Sequence, residues 1–513
     1  MPVYLDIGAQ RIQSWIAATP KLDHLRGASR ALKDRTAAGK SDPRQPGAKA
    51  TGITAWLASQ PGLIGCEVAT EAGEKDGIVV LRCPNMAKAD AAAPQLLAHL
   101  QQELPRVEWA GWWVEAPTYL DAYLAQERGE PGVRRITGYP ALYEVPVLEQ
   151  CAGCRQEPRR ITPEGSSTEG VDCGARTEAR ESPRDLLYGL PGRWPADFET
   201  LALRGGLAAR TQDGTAVRPA PRALGRKDSR NHLALIKADG NKVGQLFRAL
   251  SRHAHALPSL HGSAVADLNA HTQAAVHQAA WAISEADAEV KAALPHYVGG
   301  DDVLVSVPAA LAWRFATELA RAFEELRGTW LRQLDGDLVG DGGPSVRAEV
   351  TALIEQVSLG IGMVFARADH PLAATLQVAD AALDAAKHLP RGEVSGIAWV
   401  DLSAEGIAGA RRGRTWTQYI PAAQARRELA ELADDPVAEA LFAVPPAGRA
   451  RLAHVIRGAA NAAEANTRAA LWCQNTGRPD SLLKAVERDA AALLPLLSRA
   501  RWWPDVATEE DDQ

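Results

Sequence analysis

Two adjacent carboxylates, Asp301 and Asp302, follow two glycines in the segment HYVGGDDVLVSVP at residues 296–308. The apolar residues on both sides predict a β-hairpin with Gly299 and Gly300 at its tip, since glycine adopts positive φ without steric cost. Adjacent like charges repel each other, so a turn that only reverses the chain gains nothing from both acids. The segment therefore indicates a cation-binding site in a turn that we expect to face solvent, with a functionless polar turn as the alternative.

A third carboxylate, Asp239, ends the strand-like run HLALIKADG upstream of the hairpin. Apolar residues spaced i, i+3, i+4 and i+7 then predict a helix over NKVGQLFRAL. The whole of residues 230–403 predicts the order β-α-α-β-β-α-β-α-β, with one helix between the hairpin and the next strand, which is the split βαβ plan with extra elements. The first strand and the hairpin are neighbours in that plan, so Asp239 is predicted to lie beside Asp301 and Asp302.

Three convergent carboxylates repel each other unless a cation lies between them, and hard oxygen ligands suit Mg²⁺ or Mn²⁺. Two such ions about 3.5–4 Å apart can activate an attacking hydroxyl and stabilise a leaving phosphate. Gly299 and Gly300 leave room for a triphosphate to approach the backbone. The pattern therefore predicts a nucleotidyl-transfer site in which Asp239, Asp301 and Asp302 are the catalytic acids.

The chain divides into four parts by composition and periodicity, and its fold class is predicted as α+β. Residues 1–145 and 230–403 alternate strand and helix signals and are interpreted as two versions of one plan. Residues 146–229 are rich in Gly, Pro, Arg and Ser, contain cysteines and are predicted as an insert. Residues 404–513 are rich in Ala, Leu and Arg, carry no strand signal and are predicted as a helical bundle.

The bulk composition is typical of a soluble globular protein, with 46% apolar and 23% charged residues. The sequence has neither a run of about 18 apolar residues nor a signal-peptide pattern, so we expect no membrane span and no secretion. Six cysteines in 513 residues do not suggest a disulfide framework, which favours a cytoplasmic protein. The net charge of −6 argues against a protein that coats nucleic acid non-specifically. Basic residues nevertheless cluster at 21–49 and 204–230, and these clusters are interpreted either as phosphate-binding patches or as solvated loops.

Taken together, the motifs resemble the large, polymerase-like subunit of type III CRISPR effector complexes, a family that makes cyclic oligoadenylates. LALIKADGNKVGQLF is similar to the first motif of the catalytic palm, and YVGGDDVLV to its GGDD hairpin. SLGIGMVFARADHPLAATLQVADAALDAAK resembles a segment shared with GGDEF nucleotide cyclases, and TPKLDHLRGASRAL the signature of a first palm. The resemblance covers essentially the whole chain and implies two palms, a zinc-containing insert and an all-α C-terminal domain.

The resemblance also implies roles for the residues of the GGDD palm, which would join ATP into cyclic oligoadenylate. Asp239 and Asp301 would bind metal, with the Gly240 carbonyl as a candidate third ligand. Asp302 would bind a second metal ion or orient the first. The first palm contains no GGDD, so it is expected to be non-catalytic and to form the other half of the nucleotide pocket.

Two residues outside the acidic cluster take nucleotide-binding roles from the same resemblance. Lys387 matches a lysine that GGDEF-type palms direct at nucleotide phosphates, and the alternative is a surface lysine that interacts favourably with the helix macrodipole. Ser29 would contact a nucleotide from the first palm, and the alternative is a helix N-cap or a loop hydroxyl. Residues 404–513 would dock sister subunits of the complex, and guide and target RNA would bind through the assembled complex.

The insert resembles a zinc knuckle with one ligand missing. The motifs CAGC and DCGAR supply Cys151, Cys154 and Cys173, but Arg176 stands where the last cysteine belongs. A structural zinc site needs four ligands, so either a distant residue supplies the fourth or the site is degenerate. The other cysteines are interpreted as isolated, buried apolar residues: Cys66, Cys83 and Cys473.

Other departures from the family pattern bear on activity. Asn241 stands where the family often carries an acid, so it is left out of the predicted metal ligands. None of the twelve histidines is followed by Asp, the pair that an HD nuclease requires, so DNA cleavage is not expected. Two other functions stay open: a scaffold subunit whose site has decayed, and a free-standing GGDEF-like cyclase that uses GTP.

Overall fold

The computed structural model describes most of the chain, including two large sheets and the helices around them. The described residues are 1–18, 22–39, 52–72, 77–141, 149–162, 165–180, 187, 189–195, 197–204, 231–284, 290–337, 344–388, 394–402, 419–432, 436–444 and 446–499. Residues 21 and 40–49 of the first basic segment, and all of the second except residue 204, fall outside them. In the described part of the chain, no helix is long and apolar enough to cross a membrane.

The N-terminal unit is an antiparallel sheet with the strand order β2-β3-β1-β4-β5 and helices on both faces. Leu5 and Ile7 of the central strand pack in the same core as the helices of one face, whereas Tyr4 packs against Tyr119 of a helix on the other. The strands are β1 (Val3–Gln10), β2 (Glu67–Val68), β3 (Ile78–Cys83), β4 (Glu108–Glu115) and β5 (Arg134–Gly138). The helices are α1 (Ile12–Ala17), α2 (Leu22–Thr36), α3 (Gly52–Ala58), α4 (Met86–Glu103) and α5 (Tyr119–Arg128).

The insert packs tightly against the N-terminal unit. A Cβ atom on Gly27 of α2 would lie 1.8 Å from the carbonyl oxygen of Arg176, which lies in the insert helix Val171–Arg180. Glycine at this position therefore allows α2 and the insert helix to approach closely. The insert is therefore fixed to α2 rather than attached as a loose linker. Its elements are β6 (Ile161–Thr162), β7 (Gly165–Ser166), α6 (Val171–Arg180) and α7 (Phe198–Arg204).

The central unit has a six-stranded sheet in the order β13-β12-β11-β8-β10-β9. Its middle strand is antiparallel to both of its neighbours, and only the β11–β12 pair is parallel. The middle strand therefore lies directly beside the hairpin, as the sequence predicted. The strands are β8 (His232–Asn241), β9 (Leu294–Gly299), β10 (Asp302–Pro308), β11 (Ser358–Arg367), β12 (Gly396–Asp401) and β13 (Tyr419–Pro421).

The helices of the central unit differ from the prediction between β10 and β11. The sequence predicted one helix there, whereas the described residues form three: the first ends at Glu324, the second begins at Leu326 and the third begins at Pro344. The Nε atom of Arg327 donates a hydrogen bond to the Val357 carbonyl at 2.5 Å, which ties the second of these helices to the start of β11. The helices are α8 (Val243–Arg252), α9 (Pro258–Ala282), α10 (Ala312–Glu324), α11 (Leu326–Asp337), α12 (Pro344–Gln356) and α13 (Leu372–His388).

The C-terminal region contains a helical bundle, but it does not begin at residue 404. Strand β13 pairs with β12, and Ile420, Ala422 and Ala425 pack into the core of the central unit. This corrects the expectation that residues 404–513 carry no strand. The later helices form a separate core around Leu441, Leu452 and Cys473. The helices are α14 (Ala422–Leu432), α15 (Pro436–Ala443), α16 (Pro446–Arg457), α17 (Ala462–Asn475), α18 (Asp480–Asp489) and α19 (Leu494–Arg499).

The N-terminal and central units face each other through equivalent helices. Helix α5 follows β4 as α13 follows β11, and α1 follows β1 as α8 follows β8. Helix α5 packs on α8, and the equivalent helix α13 packs on α1. An approximate two-fold axis between the units would therefore interchange these two contacts. The N-terminal unit, which lacks the GGDD motif, therefore packs against the central unit, which carries it.

Candidate functional site

The three predicted acids converge where β8 meets the hairpin. Val303, the residue after the acid pair, is opposite Ala238, and Asp239 is opposite Gly360 of the other neighbouring strand. A Cβ atom on Gly240 would lie 2.7 Å from Asp301 Oδ2 and 2.9 Å from Asp301 Cβ. The side chain of Asp301 therefore lies against the backbone that follows Asp239, and only glycine allows this approach.

The hairpin turn is partly buried, which corrects the expectation that it faces solvent. Gly300, Asp301 and Asp302 all have intermediate exposure. Burial raises the pKa of Asp301 to about 7, and the nearby charges of Asp239 and Asp302 add to this effect. Burial, followed by the charge of Asp239, raises the pKa of Asp302 to about 6. Ionisation of Asp301 and Asp302 is therefore energetically unfavourable, and a bound cation would remove this penalty.

The turn is held in shape by its own backbone and by helix α9. Gly300 has φ of +62°, a conformation that side chains rarely adopt, and a Cβ atom there would meet nothing within 4 Å. Its N–H donates a hydrogen bond to Asn269 Oδ1 at 3.1 Å. Sequence reasoning missed Asn269, because nothing in the local pattern of α9 links it to the hairpin.

Lys387 lies at the acidic cluster rather than on open surface. Its ammonium forms an ion pair with Asp239, and its side chain crosses Gly360, where a Cβ atom would lie 2.6 Å from Lys387 Cγ. The lysine therefore places a positive charge beside the acids that are predicted to bind metal. Its role toward nucleotide phosphates stays a prediction.

A second lysine, Lys237, lies near the acids and was not anticipated. It forms an ion pair with Asp380 of α13, and its charge lowers the pKa of Asp302 against the larger effect of burial. In the sequence, Lys237 could have been noticed as the charged residue that interrupts the apolar run HLALIKADG before Asp239. Lys237 and Lys387 thus place two cations beside the three carboxylates.

Asn241 and Ser29, which the sequence placed near the site, have different surroundings. The Asn241 amide is buried and donates to Ser358 Oγ at 2.9 Å, which joins β8 to β11. Ser29 is half-buried in the interior of α2, so it is neither a helix N-cap nor a loop residue. Helix α2 packs on β9, the strand that ends at Gly299. A contact of Ser29 with nucleotide stays a prediction.

The cysteines of the insert form a second cluster with metal-ligand composition. Cys151, Cys154, Cys173 and Glu157 are buried, and one ligand atom from each lies within 4.8 Å of all the others. Glu157 also accepts hydrogen bonds from the backbone N–H groups of Asp172 at 3.1 Å and Cys173 at 3.0 Å. The fourth group is therefore a carboxylate three positions after Cys154, not a distant residue, and a search for cysteine alone could not find it.

The chemistry of this donor set fits Zn²⁺, which binds thiolates and carboxylates in tetrahedral sites. A hydrogen bond with Cys173 lowers the pKa of Cys154 to about 4, and the same contact raises the pKa of Cys173. Burial raises the pKa of Glu157, while backbone N–H groups oppose this effect. The Cys154 thiolate and the Glu157 carboxylate would together supply two negative charges, which match the charge of a divalent cation. The two further sulfur atoms complete the set of four donors.

Arg176, which replaces the expected fourth cysteine, has a structural role instead. It is buried, its guanidinium lies 4.0 Å from the centre of the Trp15 ring, and it donates hydrogen bonds to the Trp15 and Ile16 carbonyls at 2.9 and 3.3 Å. The nearby Asp172 accepts a hydrogen bond from Trp15 Nε1 at 2.9 Å. Arg176 therefore joins α6 to α1 and leaves the fourth ligand position to Glu157.

The sequence of the central unit matches a family model described as Cas10/Cmr2, second palm domain, over residues 232–395. This segment, about a third of the chain, is therefore similar to a Cas10/Cmr2 second palm domain. The resemblance found in the sequence, to the large subunit of type III CRISPR complexes, is thereby confirmed as Cas10-like. The carboxylates, the glycine turn and Lys387 all lie within this palm. No curated protein sequence matches the chain.

Solved structures of Csm1 align with nearly the whole chain at low identity. Csm1 in T. onnurineus is 13% identical with a TM-score of 0.46, and the alignment covers 99% of this chain and 68% of that one. Csm1 in a Csm1–Csm4 cassette with pppApApA is 13% identical with a TM-score of 0.49, covering 95% and 69%. The cassette with cA3 gives 12% identity and a TM-score of 0.49, covering 99% and 69%. The family assignment rests on the palm sequence and not on these alignments.

Proposed function

We propose that this chain is a nucleotidyltransferase that makes cyclic oligoadenylates from ATP, as the large subunit of a type III CRISPR effector complex. The observation that carries the proposal is the convergence of Asp239, Asp301 and Asp302 within a Cas10/Cmr2 second palm. A set of acids with two raised pKa values favours cations, and a glycine-lined turn admits phosphates. Both are requirements of phosphoryl chemistry, in which catalysis is mostly positioning and charge neutralisation.

Asp239 and Asp301 would hold one Mg²⁺ or Mn²⁺, with the Gly240 carbonyl as a further ligand, and Asp302 would hold the second ion. The ions would supply charge neutralisation at the reacting phosphate. Gly299 and Gly300 would leave room for the triphosphate of ATP. Lys387 would exchange its ion pair with Asp239 for a phosphate oxygen once cations neutralise the acids. In this site the 3′-hydroxyl of one nucleotide attacks the α-phosphate of another, and pyrophosphate leaves.

The N-terminal unit would act as a non-catalytic first palm, with Ser29 on its nucleotide-facing side. Its approximate two-fold relation to the central unit supports a pocket between them that holds a donor and an acceptor nucleotide. The insert would hold a structural Zn²⁺ through Cys151, Cys154, Cys173 and Glu157. Since Glu157 completes four ligands, the replacement of a cysteine by Arg176 does not by itself abolish the site.

Sister subunits of the complex would dock on the C-terminal region, and guide and target RNA would bind through the assembly. In the bundle, Arg478 lies 5.4 Å from the centre of the Trp472 ring, and arginine and tryptophan are residue types that dominate interface energetics. Two Arg- and Trp-containing segments of the predicted docking region 404–513, ARRGRTW and RARWWPD, lie almost wholly outside the described residues. The cytoplasmic location and the absence of DNA cleavage stay predictions.

The proposal is tested with the assembled complex, its target RNA, Mg²⁺ or Mn²⁺ and each of the four labelled nucleoside triphosphates. Mass spectrometry of the products is expected to find cyclic oligomers of AMP, formed only with target RNA. Cyclic products from GTP alone would instead support the GGDEF-like cyclase. A properly assembled complex that binds its target and yields no product from any nucleotide would identify a decayed scaffold.

A further inference from the structure

Tyr123 lies on α5 of the N-terminal unit, the helix that packs on α8 of the second palm. Tyr123 is 38% exposed, although Ala122 and Leu124 on either side of it are buried. The charge of Asp301 acts on its hydroxyl, as do the charges of Glu127 and Asp6. An exposed aromatic residue of the N-terminal unit therefore lies on the helix that packs on α8, and α8 follows the strand that carries Asp239.

Helix α5 is fixed in this place by polar contacts with α8, which begins directly after the strand that carries Asp239. Ser251 Oγ donates to Asp121 Oδ1 at 2.9 Å, and Arg248 Nε donates to Glu127 Oε2 at 3.2 Å. These contacts lie on both sides of Tyr123 along α5. The position of Tyr123 beside the second palm is therefore set by the packing of two helices.

The state of the hydroxyl follows from its surroundings. Burial raises the pKa of Tyr123, and the charges of Glu127 and Asp301 raise it further. The phenol is therefore protonated at neutral pH and acts as a hydrogen-bond donor, not as a base. Its partly open ring offers a face on which a nucleobase can stack, while its hydroxyl can donate to a ribose or phosphate oxygen.

We propose that Tyr123 is a nucleotide-positioning residue that the N-terminal unit supplies to the second palm, holding ATP against Asp239, Asp301 and Asp302. The inference rests on the proposed function and adds a contact from the unit that lacks the GGDD motif. It gives that unit a direct part in substrate binding.

The test compares Tyr123→Ala and Tyr123→Phe in the assembled complex, with Tyr139→Ala as the control at a tyrosine that is 74% exposed elsewhere in the N-terminal unit. Equilibrium binding of Mn²⁺·ATP and the KM and kcat of oligonucleotide synthesis are measured. Loss of a base–aromatic stack is expected to raise Kd and KM about 5- to 100-fold in Tyr123→Ala, with a smaller change in kcat. Tyr123→Phe keeps the ring and is expected to recover most of the binding, and Tyr139→Ala is expected to match the wild type.

The outcomes separate this inference from the proposed function. Wild-type complex that binds Mn²⁺·ATP, together with Tyr123→Ala that binds it within twofold of the wild type, would overturn the inference alone. Wild-type complex that binds no ATP would overturn the proposed function and the inference with it. Tyr123→Leu covers the case in which Tyr123→Ala loosens α5, because leucine preserves bulk but has no aromatic face. We expect Tyr123→Leu to show the same loss of binding. Normal Mn²⁺·ATP binding by Tyr123→Leu would overturn the role of the ring.

A different observation carries a second inference, at the edge of the N-terminal sheet. The sulfur atoms of Cys66 and Cys83 lie 3.1 Å apart, although sequence reasoning treated these cysteines as isolated. The two residues stand one position beyond the paired residues Glu67 and Arg82 of β2 and β3, so they form a cross-strand pair. The contact with Cys83, assisted by the charge of Lys88, lowers the pKa of Cys66.

We infer that Cys66 and Cys83 form a two-thiol redox site that small disulfides such as oxidised glutathione convert to an intrachain disulfide. The Cys66 thiolate attacks one glutathione sulfur and releases one glutathione thiol. The Cys83 thiol, whose pKa is raised by its contact with Cys66 and by burial, then attacks the Cys66 sulfur of the mixed disulfide, and its proton passes to the glutathione thiolate that leaves as the second thiol. Two protein thiols are oxidised and one glutathione disulfide is reduced, so the balance needs no further reactant.

The test titrates the full-length chain, with zinc present, in glutathione redox buffers and maps its peptides by mass spectrometry. A peptide pair joined through Cys66 and Cys83 is expected, and reduction should restore alkylation of both. Cys66→Ser is expected to prevent the link, whereas Cys473→Ser, at a buried cysteine of the bundle, should not affect it. Full alkylation of Cys66 at every ratio of oxidised to reduced glutathione would overturn the inference.

Discussion

At the scale of single residues, the acids of the turn are placed where their charge is costly. Burial and Asp239 raise the pKa of Asp301 to about 7 and that of Asp302 to about 6. A carboxyl group whose folded pKa exceeds its unfolded value binds more protons in the folded state, so stability is lost as the pH rises through the folded pKa. The site therefore favours a cationic ligand at the expense of the stability of the metal-free protein.

Removal of both charges tests this conclusion. Asp301→Ala with Asp302→Ala is expected to lower synthesis from ATP at least ~10²-fold, because loss of one electrostatic element of a transition state costs about that much. Without metal at pH 8 the same variant is expected to unfold at a higher temperature than the wild type, and the difference should shrink as the pH falls to about 4. Calorimetry and product analysis check both results. Asp335→Ala, at an exposed acid of α11, is the control, and wild-type synthesis by the double variant would contradict the palm assignment.

The raised pKa values also predict how metal binding depends on pH. Because Asp301 and Asp302 titrate near pH 7 and pH 6, cations must displace protons from them at lower pH. The affinity of the chain for Mn²⁺ is therefore expected to rise between about pH 5 and pH 8, with proton release on binding. Calorimetry in buffers of different ionisation enthalpy measures both quantities. An affinity independent of pH over this range would show that these acids do not bind the ion.

At the scale of elements, the site depends on how closely β8 approaches the hairpin. Gly240→Ala places a Cβ atom within 2.7 Å of Asp301 Oδ2, so the acid must move. We expect weaker Mn²⁺ binding and at least ~10-fold slower synthesis. Gly244→Ala is the matched control, since its Cβ atom would meet nothing within 4 Å and alanine favours the helix by roughly 0.5–1 kcal/mol. Equal activity in the two variants would show that the close approach does not position Asp301.

The insert gives a second prediction at this scale. The wild-type chain is expected to contain about one zinc ion, and Cys151→Ser with Cys154→Ser is expected to lose it and to destabilise the insert. Glu157→Ala should weaken zinc binding without removing the thiolates, whereas Cys473→Ser should retain the metal. Elemental analysis of the purified chains measures the content. Wild-type protein free of zinc after expression with added metal would end the proposal.

At the scale of the whole molecule, the docking region must be separated from the central unit before it is tested. A deletion from residue 404 would remove β13 and Ala425, which belong to the sheet and core of the central unit. Deletion of residues 436–513 keeps both, and we expect it to prevent co-purification with sister subunits while the remaining chain stays folded. Circular dichroism checks the fold, and complete assembly by the truncated chain would refute the docking role.

Several features of this protein followed from the sequence alone, because they depend on local spacing. The hairpin, the strand that ends at Asp239 and the helix after it are encoded within short segments, and their order implied that the three acids meet. Lys387 was found through its resemblance to GGDEF-type palms, although its ion pair with Asp239 was not foreseen. The three cysteines of the insert were found for the same local reason, and Glu157 was missed because only cysteine was sought.

The remaining features were decided by tertiary structure, since they join side chains that are far apart in the chain. Asn269 supports Gly300 from α9, and α5 of the N-terminal unit is held against α8 by side-chain hydrogen bonds, through packing that no local periodicity encodes. The raised pKa values arise from burial at the meeting of β8, the hairpin and α13, so no spacing in the sequence could reveal that the turn is half-buried. Residue types set which chemistry the chain can perform, and long-range packing sets the electrostatic environment in which these groups act.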